Sequence, residues 1–139
     1  MSQTRDPERF NVTMGEQIYM GLVSRHFRND KKLQECLVKD AAHVTKDAKG
    51  DHVAKIQAAL ITLEGHRIEP AEMREKRYGT STANAVLAFK RKRHIINRSY
   101  QRTADNIVGK MTIARLDAEM AQLELRTVSR NACSGIRLL

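Results

Sequence analysis

The sequence predicts an all-α fold, in which a compact three-helix unit over residues 50–125 follows an N-terminal helical extension over residues 1–49. Two observations predict this class. Three stretches place apolar residues at helical spacing on one face, and glycines separate the stretches. Because a helix with one apolar face needs a neighbour to cover that face, the three helices are expected to pack against one another.

The first helix of the unit is predicted between Gly50 and Gly65. Asp51 is expected to cap its start, and Gly65 is expected to end it in a left-handed turn. Its apolar stripe consists of Val53, Ile56, Leu60 and Leu63. This stripe supplies one side of the predicted core.

The second helix is predicted from Gly79 to Arg93, and the third from Gly109 to about Leu125. Three hydroxyl side chains are expected to cap the second helix, those of Thr80, Ser81 and Thr82. The two apolar stripes are Thr82, Ala85, Val86 and Phe89, and then Ile113, Leu116, Met120 and Leu123. The resulting core is predicted to contain Val53, Ile56, Leu60, Val86, Phe89, Ile113 and Leu116.

Two helices are predicted before the unit, one from about Gly15 to His26 and one that is capped by Asp30 and runs to about His43. Residues 45–50 are expected to connect them to the unit.

Two shorter features complete the prediction. Pro70 is expected to start a single helical turn in the charged loop after the first helix of the unit. Residues 126–139 lack helical periodicity and are expected to form a flexible C-terminal tail.

Between residues 50 and 116 the chain resembles the peptidoglycan-binding domain family, a small three-helix module that accompanies many cell-wall hydrolases. The resemblance lies in the order and spacing of Gly50, Val53, Ile56, Gln57, Leu60, Gly65, Tyr78, Gly79, Thr82, Ala85, Val86, Phe89, Asp105, Ile107, Val108, Gly109, Thr112 and Leu116. Lys90 stands where the family usually has Gln, Asn106 stands where it usually has Gly, and both loops are longer than usual.

The resemblance implies a non-catalytic module that binds peptidoglycan and targets or assembles a cell-wall-acting partner. That partner would be a separate wall hydrolase or a protein of a secretion machine. Recruitment of the module as a protein–protein adaptor is an alternative. No apolar run approaches the ~20 residues of a membrane span, and the first ten residues do not have the pattern of a secretory signal. The expected location is therefore the bacterial envelope after signal-independent export or lysis, with the cytoplasm as the alternative.

The net charge of +9 is concentrated in one part of the chain. Residues 76–104 contain eight Lys and Arg and no Asp or Glu. Such a region attracts anionic partners, and a basic helical nucleic-acid-binding protein is therefore the rival interpretation. A solvated face that keeps the protein soluble is the simplest one. The basic run Lys90–His94 also complements the dipole at the end of its own helix, which is a purely structural reason for its charge.

The search for chemical motifs predicts no enzyme, no metal and no cofactor. The five histidines and two cysteines show no metal-ligand spacing, and no nucleophile-elbow or phosphate-loop motif is present. The sequence leaves free, buried and bridged states open for Cys36 and Cys133, and reduced, structural thiols are favoured. The absence of Trp excludes a sugar site built on stacked indole rings.

The ligand surface is predicted at the end of the second helix and the two long loops. Arginine offers a planar fork that matches a carboxylate, and a Tyr ring can cover a sugar face while its hydroxyl forms a hydrogen bond. The residues predicted to bind the ligand are Arg91, Arg93, Arg98, Arg102, Tyr78 and Tyr100.

Overall fold

The computed structural model describes residues 21–96 and 103–138, with side chains described as far as residue 128. Within these residues the chain is all-α and contains no strand, which confirms the predicted fold class. The helices are α1 (Lys31–Val38), α2 (Asp51–Glu64), α3 (Pro70–Glu75), α4 (Thr80–Arg93) and α5 (Lys110–Leu138), with a 3₁₀ turn at Asp40–Ala42.

One apolar core lies between α2, α4 and α5. The seven residues predicted for it are all fully buried, namely Val53, Ile56, Leu60, Val86, Phe89, Ile113 and Leu116. The same cluster includes Phe27, Leu33 and Cys36 from the N-terminal part of the chain. Residues 21–44 therefore pack onto the three-helix unit and enlarge its core.

The predicted helix from Gly15 to His26 is wrong where it can be compared. Residues 15–20 lie outside the described residues, and residues 21–26 are not helical. Carboxylates of α5 hold this segment, since Val23 and Ser24 donate their backbone N–H groups to Asp117 at 2.9 Å. The next two N–H groups, those of Arg25 and His26, donate to Glu124 at 2.8 and 3.1 Å. The segment thus satisfies its backbone through α5 and not through a helix of its own.

Asp30 caps α1 as predicted, because its carboxylate accepts the N–H of Leu33 at 3.0 Å. The helix ends at Val38 and not near His43. After the 3₁₀ turn, Val44 forms an antiparallel bridge with Val108, with N–O distances of 3.0 and 2.9 Å. The helix ends early and the chain then pairs with Val108. The helical spacing of nearby apolar residues does not reveal this long-range contact.

Helix α2 begins at a glycine and not at a side-chain cap. Gly50 occupies the cap position with φ of 135°, which favours glycine, and Asp51 lies in the first turn, where it pairs with Lys76. The predicted cap at Asp51 is therefore wrong. The predicted end is confirmed, because Gly65 is left-handed with φ of 68° and its N–H donates to the Ile61 carbonyl.

A carboxylate from a neighbouring helix caps α4. Pro70 starts α3 as predicted, and α3 carries Glu72 to the start of α4. Glu72 accepts the N–H groups of Gly79, Ser81 and Thr82 at 3.0–3.1 Å and the Thr82 hydroxyl at 2.7 Å. The predicted caps at Thr80, Ser81 and Thr82 are wrong, because Glu72 takes the N–H groups that those hydroxyls were expected to accept.

Helix α5 continues to Leu138, so the helix predicted to end near Leu125 runs through the region that was expected to be a tail. Residues 126–134 contain no Pro or Gly that would stop a helix, and propagation of an existing helix needs only one further hydrogen bond per residue. The weak apolar pattern there reflects exposure, since Leu125 and Val128 are 64% and 49% exposed.

We expect Phe89→Ala to lower the free energy of unfolding by about 3 to 5 kcal/mol, because the ring is fully buried in the core. Chemical denaturation followed by circular dichroism measures this loss. The exposed Leu125→Ala is the control and should change stability little. An equal effect of the two substitutions would contradict the core assignment.

Glu72 should make stability depend on acid pH. Burial opposes its ionisation, but the hydrogen bonds from Thr82 and Ser81 outweigh burial and lower the pKa of Glu72 to about 2. A lowered folded-state pKa gives stability that is present above the unfolded pKa, near 4.5, and is lost as pH falls towards 2. The shift corresponds to about 3 kcal/mol.

Urea unfolding of wild type and Glu72→Gln between about pH 3 and 7 tests this pH dependence. The series includes the pKa of a Glu side chain in the unfolded chain. The variant should be less stable at neutral pH and should lose less stability on acidification. Glu35→Gln on the exposed face of α1 is the matched control. Parallel pH profiles for wild type and Glu72→Gln would contradict the role given to this carboxylate.

Candidate ligand-binding surface

The basic run Lys90–His94 occupies the end of α4, where the helix dipole favours positive charge. Lys90 is only 6% exposed, and its ammonium donates to the Asp105 carboxylate at 2.5 Å and to the Ile107 carbonyl at 2.8 Å. A buried ammonium needs such partners. Lys90 therefore fastens the segment before α5 onto α4.

Arg93 joins three helices. Its side chain is 9% exposed, and its guanidinium donates to Glu64 at the end of α2 and to Glu119 on α5, each at 2.6 Å. The guanidinium carbon also lies 3.9 Å from the centre of the Phe89 ring, a cation–π contact. The hydrogen bond from Arg93 holds the pKa of Glu119 below its usual value. Its Nε and Nη2 donors are thus engaged within the fold, and the ligand role of Arg93 stays a prediction.

The remaining cations of the run differ in exposure. Lys92 is largely exposed and donates to Glu64 at 2.8 Å. Arg91 is exposed and forms no ion pair with any residue that the structure describes. Of the four cations in the run, Arg91 is the one whose charge is directed to solvent without a described carboxylate beside it.

Tyr78 is fully buried, and its hydroxyl donates to the carbonyl of Asn106. Burial raises the pKa of Tyr78 well above its usual value. The ring therefore belongs to the core, and the ligand contact at Tyr78 stays a prediction. The predictions for Arg98, Tyr100 and Arg102 lie outside the described residues.

A cavity of about 470 Å³ lies where the 3₁₀ turn, the end of α4 and the start of α5 meet. It is lined by Asp40, His43, Lys90, Ile95, Asp105, Ile107, Gly109, Lys110, Met111 and Thr112. The Val44–Val108 bridge brings the turn and the start of α5 together. Both signs of charge and an apolar surface are therefore present in one small volume.

The 3₁₀ turn and α5 meet in a charged contact at this cavity. The Lys110 ammonium lies 3.2 Å from the Asp40 carboxylate, and His43 Nε2 lies 3.5 Å from the same carboxylate. The His43 ring packs on Gly109, where an added Cβ would lie 3.1 Å from the ring. The glycine thus permits the close approach of His43 to the residue that precedes α5.

The N-terminus of α5 also faces this cavity. The first backbone hydrogen bond of the helix runs from Ile113 to the Gly109 carbonyl, so the N–H groups of the three residues before it have no helical acceptor. No hydrogen bond joins these three groups to another described residue. Partial positive charge from the helix therefore adds to the ammonium groups at the cavity.

Sequence reasoning missed Asp40, His43 and Lys110 as residues of one site. Asp40 and His43 fall in a stretch that was assigned to a helix, and only the distant Val44–Val108 bridge places them beside α5. Asp105 and Gly109 do belong to the positions that carry the family resemblance. That resemblance was the one sequence signal that could have pointed to this part of the fold.

A second hollow, of about 660 Å³, lies beyond Arg93 between the ends of α2 and α4 and the outer face of α5. Lys92, Arg115 and Arg126 contribute to its wall together with Glu119. Arg115 donates to Glu119 at 2.7 Å, so part of this charge is also engaged in ion pairs. The hollow is a shallow, mainly basic surface.

Cys36 is a free thiol buried in the core, where burial raises its pKa to about 11. Such a thiol stays protonated at neutral pH and is a poor nucleophile. Among the described side chains, no three His, Cys, Asp or Glu residues come together as metal ligands. Within residues 21–96 and 103–138, no helix combines the length and apolar character needed to cross a membrane.

Comparisons of the chain with protein-family models, with curated proteins and with solved structures give no match. The resemblance to the peptidoglycan-binding domain family therefore stays a prediction from the sequence.

Arg93→Ala should lower the free energy of unfolding by about 1 to 3 kcal/mol, because Glu64 and Glu119 lose their shared buried partner and keep only the more exposed Lys92 and Arg115. Arg91→Ala removes the same charge from an exposed position and should leave stability nearly unchanged. Thermal and urea unfolding of the two variants measure the difference. Equal stabilities of the two variants would show that the ion pairs of Arg93 with Glu64 and Glu119 do not support the fold.

Proposed function

We propose that this chain is a non-catalytic peptidoglycan-binding module of the bacterial envelope, which brings a separate wall-acting protein to its substrate. The proposal starts from the family resemblance over residues 50–116. It is supported by the structural positions of the residues that carry the resemblance. The apolar ones other than the half-buried Ile107 are buried in one core, Gly50 and Gly65 have positive φ, and Asp105 and Gly109 line a cavity.

The single observation that carries the proposal is this cavity beside the exposed end of α4. Peptidoglycan offers carboxylates, ammonium groups and sugar hydroxyls. The cavity offers ammonium groups, carboxylates and N–H groups that have no acceptor among the described residues. Arg91 lies in the last turn of α4 and is exposed. We place Arg98, Tyr100 and Arg102 on the same ligand surface from the sequence.

The nucleic-acid alternative is less well supported by the arrangement of the basic run. Binding to a phosphate backbone requires cations that are free to replace counterions. Lys90 and Arg93 are buried in ion pairs, and Lys92 is paired with Glu64. Much of the basic charge that suggested nucleic acid is therefore engaged inside the protein.

We infer from the family resemblance that the partner is a separate hydrolase or a protein of a secretion machine. The adaptor alternative uses the same fold without the wall ligand. The two differ in whether purified protein binds purified wall.

The test is binding of the purified protein to nucleic-acid-free sacculi and to random duplex DNA across a salt series. We expect wild type to co-sediment with sacculi and the variant Arg91→Ala, Arg98→Ala, Arg102→Ala to bind roughly 10-fold more weakly, as expected for the loss of charge-assisted hydrogen bonds. A matched control, Arg28→Ala, Lys31→Ala, Lys39→Ala, removes equal charge at and near α1. The control should bind sacculi like wild type.

Two results would contradict the proposal. One is the absence of sacculus binding by the wild type. The other is DNA binding that exceeds sacculus binding and falls with salt with a log–log slope near −0.9 per phosphate contacted, which would establish the nucleic-acid function instead.

A further inference from the structure

We propose that the cavity between the 3₁₀ turn and the start of α5 binds the zwitterionic end of an amino acid, a carboxylate and an ammonium group on one carbon. In peptidoglycan this group is the free end of a diamino-dicarboxylic acid side chain in the stem peptide. The inference rests on the proposed function for the source of the ligand. Its chemistry rests on the cavity alone.

The size of the cavity suits a small group. Its volume of about 470 Å³ lies within the ~300 to 1,000 Å³ of small-molecule sites. Such a volume holds the end of a side chain or a short peptide and leaves a glycan strand outside. We therefore assign the cavity to the peptide part of the wall polymer.

Charges of both signs face each other across the mouth of this cavity. Lys110 and Asp40 are paired at 3.2 Å, but their side chains are 46% and 80% exposed. An exposed ion pair contributes only ~0 to 1 kcal/mol, so separating it costs little. A zwitterion can take the place of each partner, with its carboxylate on Lys110 and its ammonium on Asp40.

The start of α5 strengthens the carboxylate side of the site. The N–H groups of its first turn, which have no acceptor among the described residues, and the helix dipole both favour a negative group beside Lys110. Lys90 donates to Asp105 and to the Ile107 carbonyl. Its positive charge therefore adds to the potential at the cavity, while Lys110 is the cation assigned to bind the ligand. The carboxylate of the ligand is therefore assigned to the α5 end of the cavity.

An unsatisfied polar atom lies on the other side. His43 Nε2 is buried and has no hydrogen-bond partner in the described structure. A buried polar atom without a partner is uncommon in a folded protein. It lies 3.5 Å from Asp40, and the His43 side chain is 33% exposed. A turn of the ring would bring Nε2 to an ammonium group held by Asp40 and complete a hydrogen bond that the described residues leave unmade.

The apolar lining fits the chain that carries such a group. Ile95, Ile107 and Met111 line the same cavity as Lys110 and Asp40, and Met111 is 51% exposed. A methylene chain can lie against these side chains while its zwitterionic end reaches Lys110 and Asp40. A lysine side chain has the methylenes and the ammonium group but lacks the carboxylate.

The experiment measures binding to two synthetic tripeptide stems by calorimetry, one ending in meso-diaminopimelate and one ending in L-lysine. The first should bind about 10-fold or more tightly than the second, since the carboxylate adds a charge-assisted contact. Lys110→Ala and Asp40→Asn should each weaken the first stem by a similar factor. Lys31→Ala and Glu35→Gln, exposed residues of α1, are the matched controls and should bind like wild type.

We would also measure binding to sacculi of the diaminopimelate type, to sacculi of the lysine type and to free diaminopimelate. These probes distinguish failure of the cavity site from failure of the wall-binding function. Equal binding of wild type and both cavity variants to both sacculus types would overturn the cavity site and leave the proposed function standing. Tight binding of the free amino acid or stem without binding to sacculi would support the cavity chemistry and overturn the wall-binding function. No binding to any of these probes would overturn both.

Discussion

The arrangement of the three-helix unit depends on the buried carboxylate of Glu72, which sets the start of α4. It gathers the N–H groups at the start of α4, and a Cβ on Gly79 would lie 2.5 Å from its carboxyl carbon. Gln57 of α2 donates to the Arg77 carbonyl and to the Thr82 hydroxyl in the same place. One polar network thus sets where α4 begins and how it meets α2 and α3.

Ion pairs complete this arrangement at the opposite end of α4. Arg93 binds carboxylates of α2 and α5, and Lys90 holds the segment that leads into α5. A net charge of +9 therefore overstates the positive charge that the protein offers to a partner through this run. What remains outside the ion pairs matters more for recognition than the total.

The apolar core could be predicted from the sequence because helical periodicity is a local property. The burial of Val53, Phe89 and Leu116 could be predicted because each has apolar neighbours three or four residues away in the sequence. The helix starts were harder to predict, since α4 is capped by Glu72 from another helix. The candidate cavity could not be found in this way, because Asp40 and Lys110 meet only through the Val44–Val108 bridge.

The two carboxylates of α5 that hold the N-terminal segment have a consequence for how the protein opens. Asp117 and Glu124 bind backbone groups that lie 93 to 99 residues earlier in the chain. These hydrogen bonds break when either residues 23–26 or α5 moves away from the other. Local opening of the two segments is therefore expected to be coupled. We therefore expect the segment before α1 and the last helix of the unit to unfold together, although they lie far apart in the sequence.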